Sequence, residues 1–104
     1  MENNLDKYIE ITPGIRSGKP RITGTRITVA DVAIMYLRMG HSLEEIAGKY
    51  QLSLVSVHVA MAFYYEHRQE IDQQIADAEA YAETERLNSP SLLQEKLNAM
   101  KKYA

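Results

Sequence analysis

Apolar positions in this chain first alternate briefly and then fall into helical stripes. Tyr8-Ile9-Glu10-Ile11 alternates weakly and Pro13-Gly14 follows as a turn, which predicts a strand of about four residues. Pro20-Arg21-Ile22-Thr23 and Thr25-Arg26-Ile27-Thr28 then flank Gly24. That spacing lets Ile22 and Ile27 pack inward while the arginines project to solvent, as a short hairpin or two extended arms with Gly24 at the bend.

Helical signals begin at Thr28, an N-cap with Asp31 three positions on. A first helix is expected from about Val29 to Met39, with Val29, Val32, Ala33, Tyr36 and Leu37 on its apolar stripe and Gly40 as the stop. Ser42 and Glu45 form a complete capping box for a second helix carrying Leu43, Ile46, Ala47 and Tyr50. After Gln51 and Leu52, Ser53 caps a third helix with Val57, Ala60, Met61 and Tyr64 available for burial. Two helices joined so briefly form a helix-turn-helix, in which Ile46 meets Val57, Ala47 is small at the crossing and Leu52 plugs the turn.

The phase is lost around His67 to Gln69, after which Ile71, Ile75, Ala78 and Ala82 make a thin stripe on a fourth helix. Ser89-Pro90 starts a short closing helix with Leu93, Leu97 and Met100 aligned. The expected fold is therefore mainly α: a homeodomain-like trihelical core with a short N-terminal β arm or hairpin and a C-terminal helical extension. Its segments are the arm at 1–28, the core at 29–69 and the extension at 70–104.

At 104 residues, 45% of them hydrophobic and 25% charged, the chain suits one compact domain with a modest core plus a tail. It has no cysteine, which excludes disulfides, thiolate metal sites and cysteine nucleophiles. The start Met1-Glu2-Asn3-Asn4 does not read as a secretion signal, and no apolar run approaches the ~18 residues that cross a bilayer, so a cytoplasmic protein with no membrane partner is expected.

The net charge of −2 does not advertise nucleic-acid binding, but its distribution is uneven. Arg16, Lys19, Arg21 and Arg26 lie in a stretch with no acid, and on a hairpin they could hold phosphates of DNA. The plain alternative is a solvated arm. The third helix offers Ser53, Ser56 and His58 to DNA and none of the Arg, Lys, Asn or Gln side chains that make bidentate base contacts. Its Leu54, Val55 and Val59 read instead as protein-contacting residues, so base reading and a dimer or partner surface stand as alternatives. The modest core and these outward apolar positions predict a homodimer.

Catalytic motifs fail. Three residues rather than four separate Gly14 from Gly18, and Pro20 stands where a phosphate loop needs a hydroxyl. His41, His58 and His67 form no helical metal pair, so no metal or cofactor is expected and the chain reads as non-enzymatic.

Gly18-Lys19-Pro20, Gly24-Thr25-Arg26-Ile27, Val29, the capped helix pair and Ala60-Met61-Ala62-Phe63-Tyr64-Tyr65 resemble domain-of-unknown-function family 433 over about Tyr8 to Ile75. Several members of that family are VapB-type antitoxins paired with PIN-like ribonuclease toxins. The resemblance implies a β arm on a helix-turn-helix body, commonly dimeric, with toxin neutralisation and binding to operator DNA as expected roles. Where the family often has Cys-Gly or Gly-Gly, this chain has Arg16-Ser17-Gly18, and Tyr50-Gln51-Leu52-Ser53 replaces a frequent Pro-Asp-Leu-Thr. Beyond the domain, Leu92, Leu93, Leu97 and Met100 are candidate anchors on the toxin, the alternative being a helix packed on its own domain or a dimer mate.

Overall fold

A computed structural model of the chain describes residues 4–88. Four helices follow a small β arm: α1 (Val29–Ala33), α2 (Leu43–Tyr50), α3 (Leu54–Glu66) and α4 (Arg68–Asn88). The starts of α1, α2 and α3 each have a side-chain cap at the residue their sequence signals. The Thr28 hydroxyl accepts from the Asp31 amide at 2.9 Å while the Asp31 carboxylate accepts from the Thr28 amide at 3.0 Å. Ser42 and Glu45 repeat this reciprocal box at α2. At α3 the Ser53 hydroxyl accepts from the Ser56 amide, and the Ser56 hydroxyl donates back to the Ser53 carbonyl at 2.7 Å. Such caps satisfy amides that no helical carbonyl reaches.

The turn between α2 and α3 takes three residues. Gln51 adopts left-handed angles (φ 55°, ψ 44°), and the Leu52 amide reaches back to the Ala47 carbonyl at 2.8 Å, a Schellman closure. α3 packs against both α1 and α2 and touches the β arm, so it is the spine of the unit. Its inner residues Val57, Ala60, Met61 and Tyr64 are buried with Ile46 and Ala47 of α2 and Val29, Val32 and Ala33 of α1, as the stripes predict.

One stripe slips. After Ala33 the chain widens into a π turn over Ile34–Arg38, closed by the Met39 amide on the Ile34 carbonyl at 3.1 Å. A π turn advances each residue through a smaller angle than an α turn, so Met35 enters the core while Tyr36 and Leu37, expected inside, are exposed. Gly40 ends the segment at φ 75°, with the His41 amide on the Met35 carbonyl.

The β arm is smaller than its sequence suggests. β1 (Ile9–Glu10) pairs antiparallel with β2 (Arg21–Ile22), Ile9 opposite Ile22 and Glu10 opposite Arg21. On the other edge of β2, an isolated bridge joins Arg21 to Thr28, and the Ile22 amide bonds the Ile27 carbonyl at 2.8 Å. The expected hairpin about Gly24 is thus present as a tight loop, with Gly24 at φ 78°.

His67 separates α3 from α4 at φ −120°, its ring stacked on Phe63 at 4.3 Å between centroids. One compact unit runs through Asp72 and a second begins at Gln73. In the first unit, the buried Tyr64 hydroxyl donates to the Asp72 carboxylate at 2.7 Å. That bond first, then burial and the adjacent carboxylate charge, raise the Tyr64 phenol above its ordinary pKa. In the second unit Ile75 is buried, but every side chain from 76 to 88 is exposed, Ala78 and Ala82 included. The predicted stripe of α4 therefore stops at Ile75, because a methyl group offers too little area to fix a helix face.

Candidate functional site

The four arm cations part company in the structure. Arg21, expected in solvent, is only 5% exposed. Its guanidinium donates to the Glu10 carboxylate at 2.7 Å and to the Thr12 hydroxyl at 3.2 Å. Glu10, directly opposite in register, supplies the counter-charge that a buried guanidinium requires. The same Glu10 oxygen accepts from the Gly24 amide, so the pair also ties down the loop. Arg16 is half-buried and bonds the Asp31 carboxylate and the Arg26 carbonyl, at 3.0 and 2.9 Å. The loop that carries it is strained, with Arg16, Ser17 and Gly18 all at positive φ. Arg26 is exposed and Lys19 half-buried, which leaves these two of the four as the arm's outward cations.

On α3 the three polar candidates also divide. Ser56 is buried, and Ser53 uses its hydroxyl as the helix cap, so both serve the turn. His58 is exposed. Beside the turn lies a depression of about 380 Å³ in which Lys7, Thr23, Thr25, Gln51 and Ser53 surround a mostly apolar lining with Tyr8, Ile22 and Leu52. Lys7, Thr23, Thr25 and Gln51 were not singled out by the sequence; only the fold brings the loop after β2 against the start of α3.

The outer side of α3 is different in kind. Leu54 and Val55 are 43% and 51% exposed, His58 and Ala62 are exposed, and Val59 is half-buried. Leu54, Val55, His58, Val59 and Ala62 line a shallow, almost wholly apolar hollow of about 380 Å³. Val59 and Ala62 also border a second hollow of about 340 Å³, shared with Ile9, Ile11 and Phe63 and edged by Asp6 and Glu66. α3 carries no cation from end to end. It is apolar on its inner and outer sides alike, which gives the unit an exposed apolar patch on the outer side. The structure thus brings together Leu54, Val55 and Val59, the candidate protein contacts of the domain. Leu92, Leu93, Leu97 and Met100 lie outside the described residues, as do Ser89 and Pro90.

A further apolar group, Tyr36, Leu37 and Met39, is exposed by the π turn. Among the described residues no three His, Asp or Glu side chains gather in a cluster that could hold a metal ion, and no helix is long and apolar enough to cross a membrane.

Residues 9–64 match the family described as "Protein of unknown function (DUF433)". The chain is also similar to the crystal structure of a DUF433 member protein from Anabaena variabilis at 2.00 Å resolution, with 33% identity and a TM-score of 0.61. The match covers 69% of this chain and 71% of that one. No curated protein matches.

Proposed function

This chain belongs to the DUF433 family, and from that premise we propose that it is a non-enzymatic binding protein that works through protein contacts made by the outer side of α3. The single observation that carries this reading is the apolar outer face of a helix which, in the recognition position of a helix-turn-helix, holds no side chain suited to bidentate base contacts. The specific role is that of an antitoxin: a cytoplasmic homodimer that holds a PIN-like toxin. The tail residues Leu92, Leu93, Leu97 and Met100 are the candidate toxin anchors.

The test starts from the adjacent reading frame. It should encode a nuclease with an acidic triad whose product co-purifies with this chain, and truncation after Asn88 should release it. A neighbour of another kind, or no co-purification, overturns the antitoxin role, and undiminished binding after truncation overturns the tail as anchor.

Operator binding is a second reading, favoured by the intact capped turn, by the depression beside it with Lys7, Thr23 and Thr25, and by the outward cations Lys19 and Arg26 of the arm. In that reading the arm grips phosphates and α3 reads little sequence. A salt titration on upstream DNA separates the two: binding that falls steeply with ionic strength supports DNA contact, and absent or salt-insensitive binding leaves the protein-contact role alone.

A further inference from the structure

Resting on the protein-contact reading, we infer that the hollow bordered by Ile9, Ile11 and the second half of α3 receives a basic side chain of the partner protein, a Lys or Arg carried on an otherwise apolar segment. The way this unit pairs its own carboxylates points there. Glu10 and Asp31 hold Arg21 and Arg16, and Glu45 caps α2. Asp72 accepts from Tyr64, and Glu70 lies 3.9 Å from the His67 ring. Asp6, Glu44 and Glu66 are left exposed, with no hydrogen bond or ion pair among the described residues. Glu44 stands apart on α2, whereas Asp6 and Glu66 both edge the one apolar hollow of about 340 Å³. The cation next to them in sequence, Lys7, is turned elsewhere: its ammonium lies over the Tyr8 ring and it borders the depression beside the turn.

Glu66 gains nothing from its own helix. It is the last residue of α3, where the negative end of the helix dipole disfavours a carboxylate. A cation seated in the hollow relieves that repulsion and matches Asp6 as well, while its alkyl stem covers Ile9, Ile11 and Phe63. DNA or an acidic segment meets only like charge here. A second copy fits this end no better, because it presents the same carboxylates and no Lys or Arg lines either hollow. Val59 and Ala62 border both hollows, so one apolar strip runs along α3 from Leu54 and Val55 to the carboxylates. Val55 and Glu66 are ~16 Å apart along the helix, a span of about three turns. A small-molecule cation covers one end of that strip. A protein segment with apolar residues on Leu54 and Val55 and a base three turns further on covers all of it.

The test pans the immobilised full chain against a displayed library of random peptides long enough for about four helical turns. Enriched peptides should carry Lys or Arg beyond a group of apolar residues, well above the library frequency. Asp6→Asn with Glu66→Gln should weaken a selected peptide roughly three- to tenfold by fluorescence anisotropy, an effect that shrinks with added salt. Glu44→Gln should change nothing, and Leu54→Ser with Val55→Ser should remove binding altogether. Asp6 and Glu66 are exposed and unpaired, so their amides leave the circular dichroism unchanged and misfolding does not mimic the result. Peptides lost in the serine pair but without enriched bases, or bound equally by the amide pair, overturn the basic partner and leave the protein-contact reading standing. No enriched peptide, or peptides indifferent to both pairs, overturns the two together. Base-bearing peptides that appear only on the chain truncated after Asn88 give the hollow to the chain's own tail. A wild-type dimer that the serine pair dissociates in light scattering gives the strip to a second copy, and either result sinks the basic partner.

Discussion

Arg21 shows how one residue changes meaning between sequence and structure. In a run of four cations it reads as a phosphate contact, yet its position opposite Glu10 makes it a buried charge with a dedicated partner. Removing only the partner leaves that charge stranded, whereas replacing the arginine by a long apolar side chain removes the need for one. Glu10→Gln is thus expected to cost about 1–3 kcal/mol in urea unfolding, discounted because Glu10 is itself partly exposed, and Arg21→Met distinctly less. Equal losses would show that packing, not charge, sets the cost. Tyr64 gives a second residue-scale expectation. Its folded pKa is raised, so the folded chain keeps a proton that the unfolded chain releases near pH 10. The bond to Asp72 therefore contributes fully below pH 10, and its contribution is lost as pH climbs through the higher folded value. Stability measured above pH 10 should fall less steeply in Tyr64→Phe.

At the level of elements, the boundaries were legible wherever a local rule sets them. Thr28, Ser42 and Ser53 are caps by side-chain chemistry alone, and Val57, Ala60, Met61 and Tyr64 are inner residues by spacing alone. What the pattern could not carry was anything that depended on a distant partner. The π turn shifted the stripe at Tyr36 and Leu37, the facing strand claimed Arg21, and the depression with Thr23, Thr25 and Gln51 joins residues far apart in the chain. The candidate site was half visible for the same reason: Leu54, Val55 and Val59 stand out within one helix, but Ile9 and Ile11 join them only through the fold. The α2–α3 turn also holds a conflict between residue and backbone. Gln51 sits in the left-handed region, which costs a side-chain-bearing residue roughly 1–2 kcal/mol. Gln51→Gly relieves that strain but loosens the unfolded chain, so a net gain of about 0.5–1 kcal/mol is expected in thermal or urea unfolding. A loss would mean that the glutamine side chain makes a contact worth more than the strain.

For the molecule as a whole, the internal pairing of Arg16 and Arg21 limits what DNA can gain. Lys7, Lys19 and Arg26 remain as outward cations of the arm. A DNA complex held by these three cations alone should show a log–log salt slope of about −3 per chain, and Lys49, exposed at the end of α2, would add about one more if it joins. The π turn has a different kind of consequence, one that concerns lineage more than binding. A loop of helix wound with one residue to spare is a point at which chain length is negotiable. Excising Leu37 should let Ile34–Arg38 rewind as ordinary α-helix, bringing the flanking helices through with their caps unchanged. Relatives one residue shorter would then be expected to differ at this spot, trading an apolar bump on the surface for a plain cylinder.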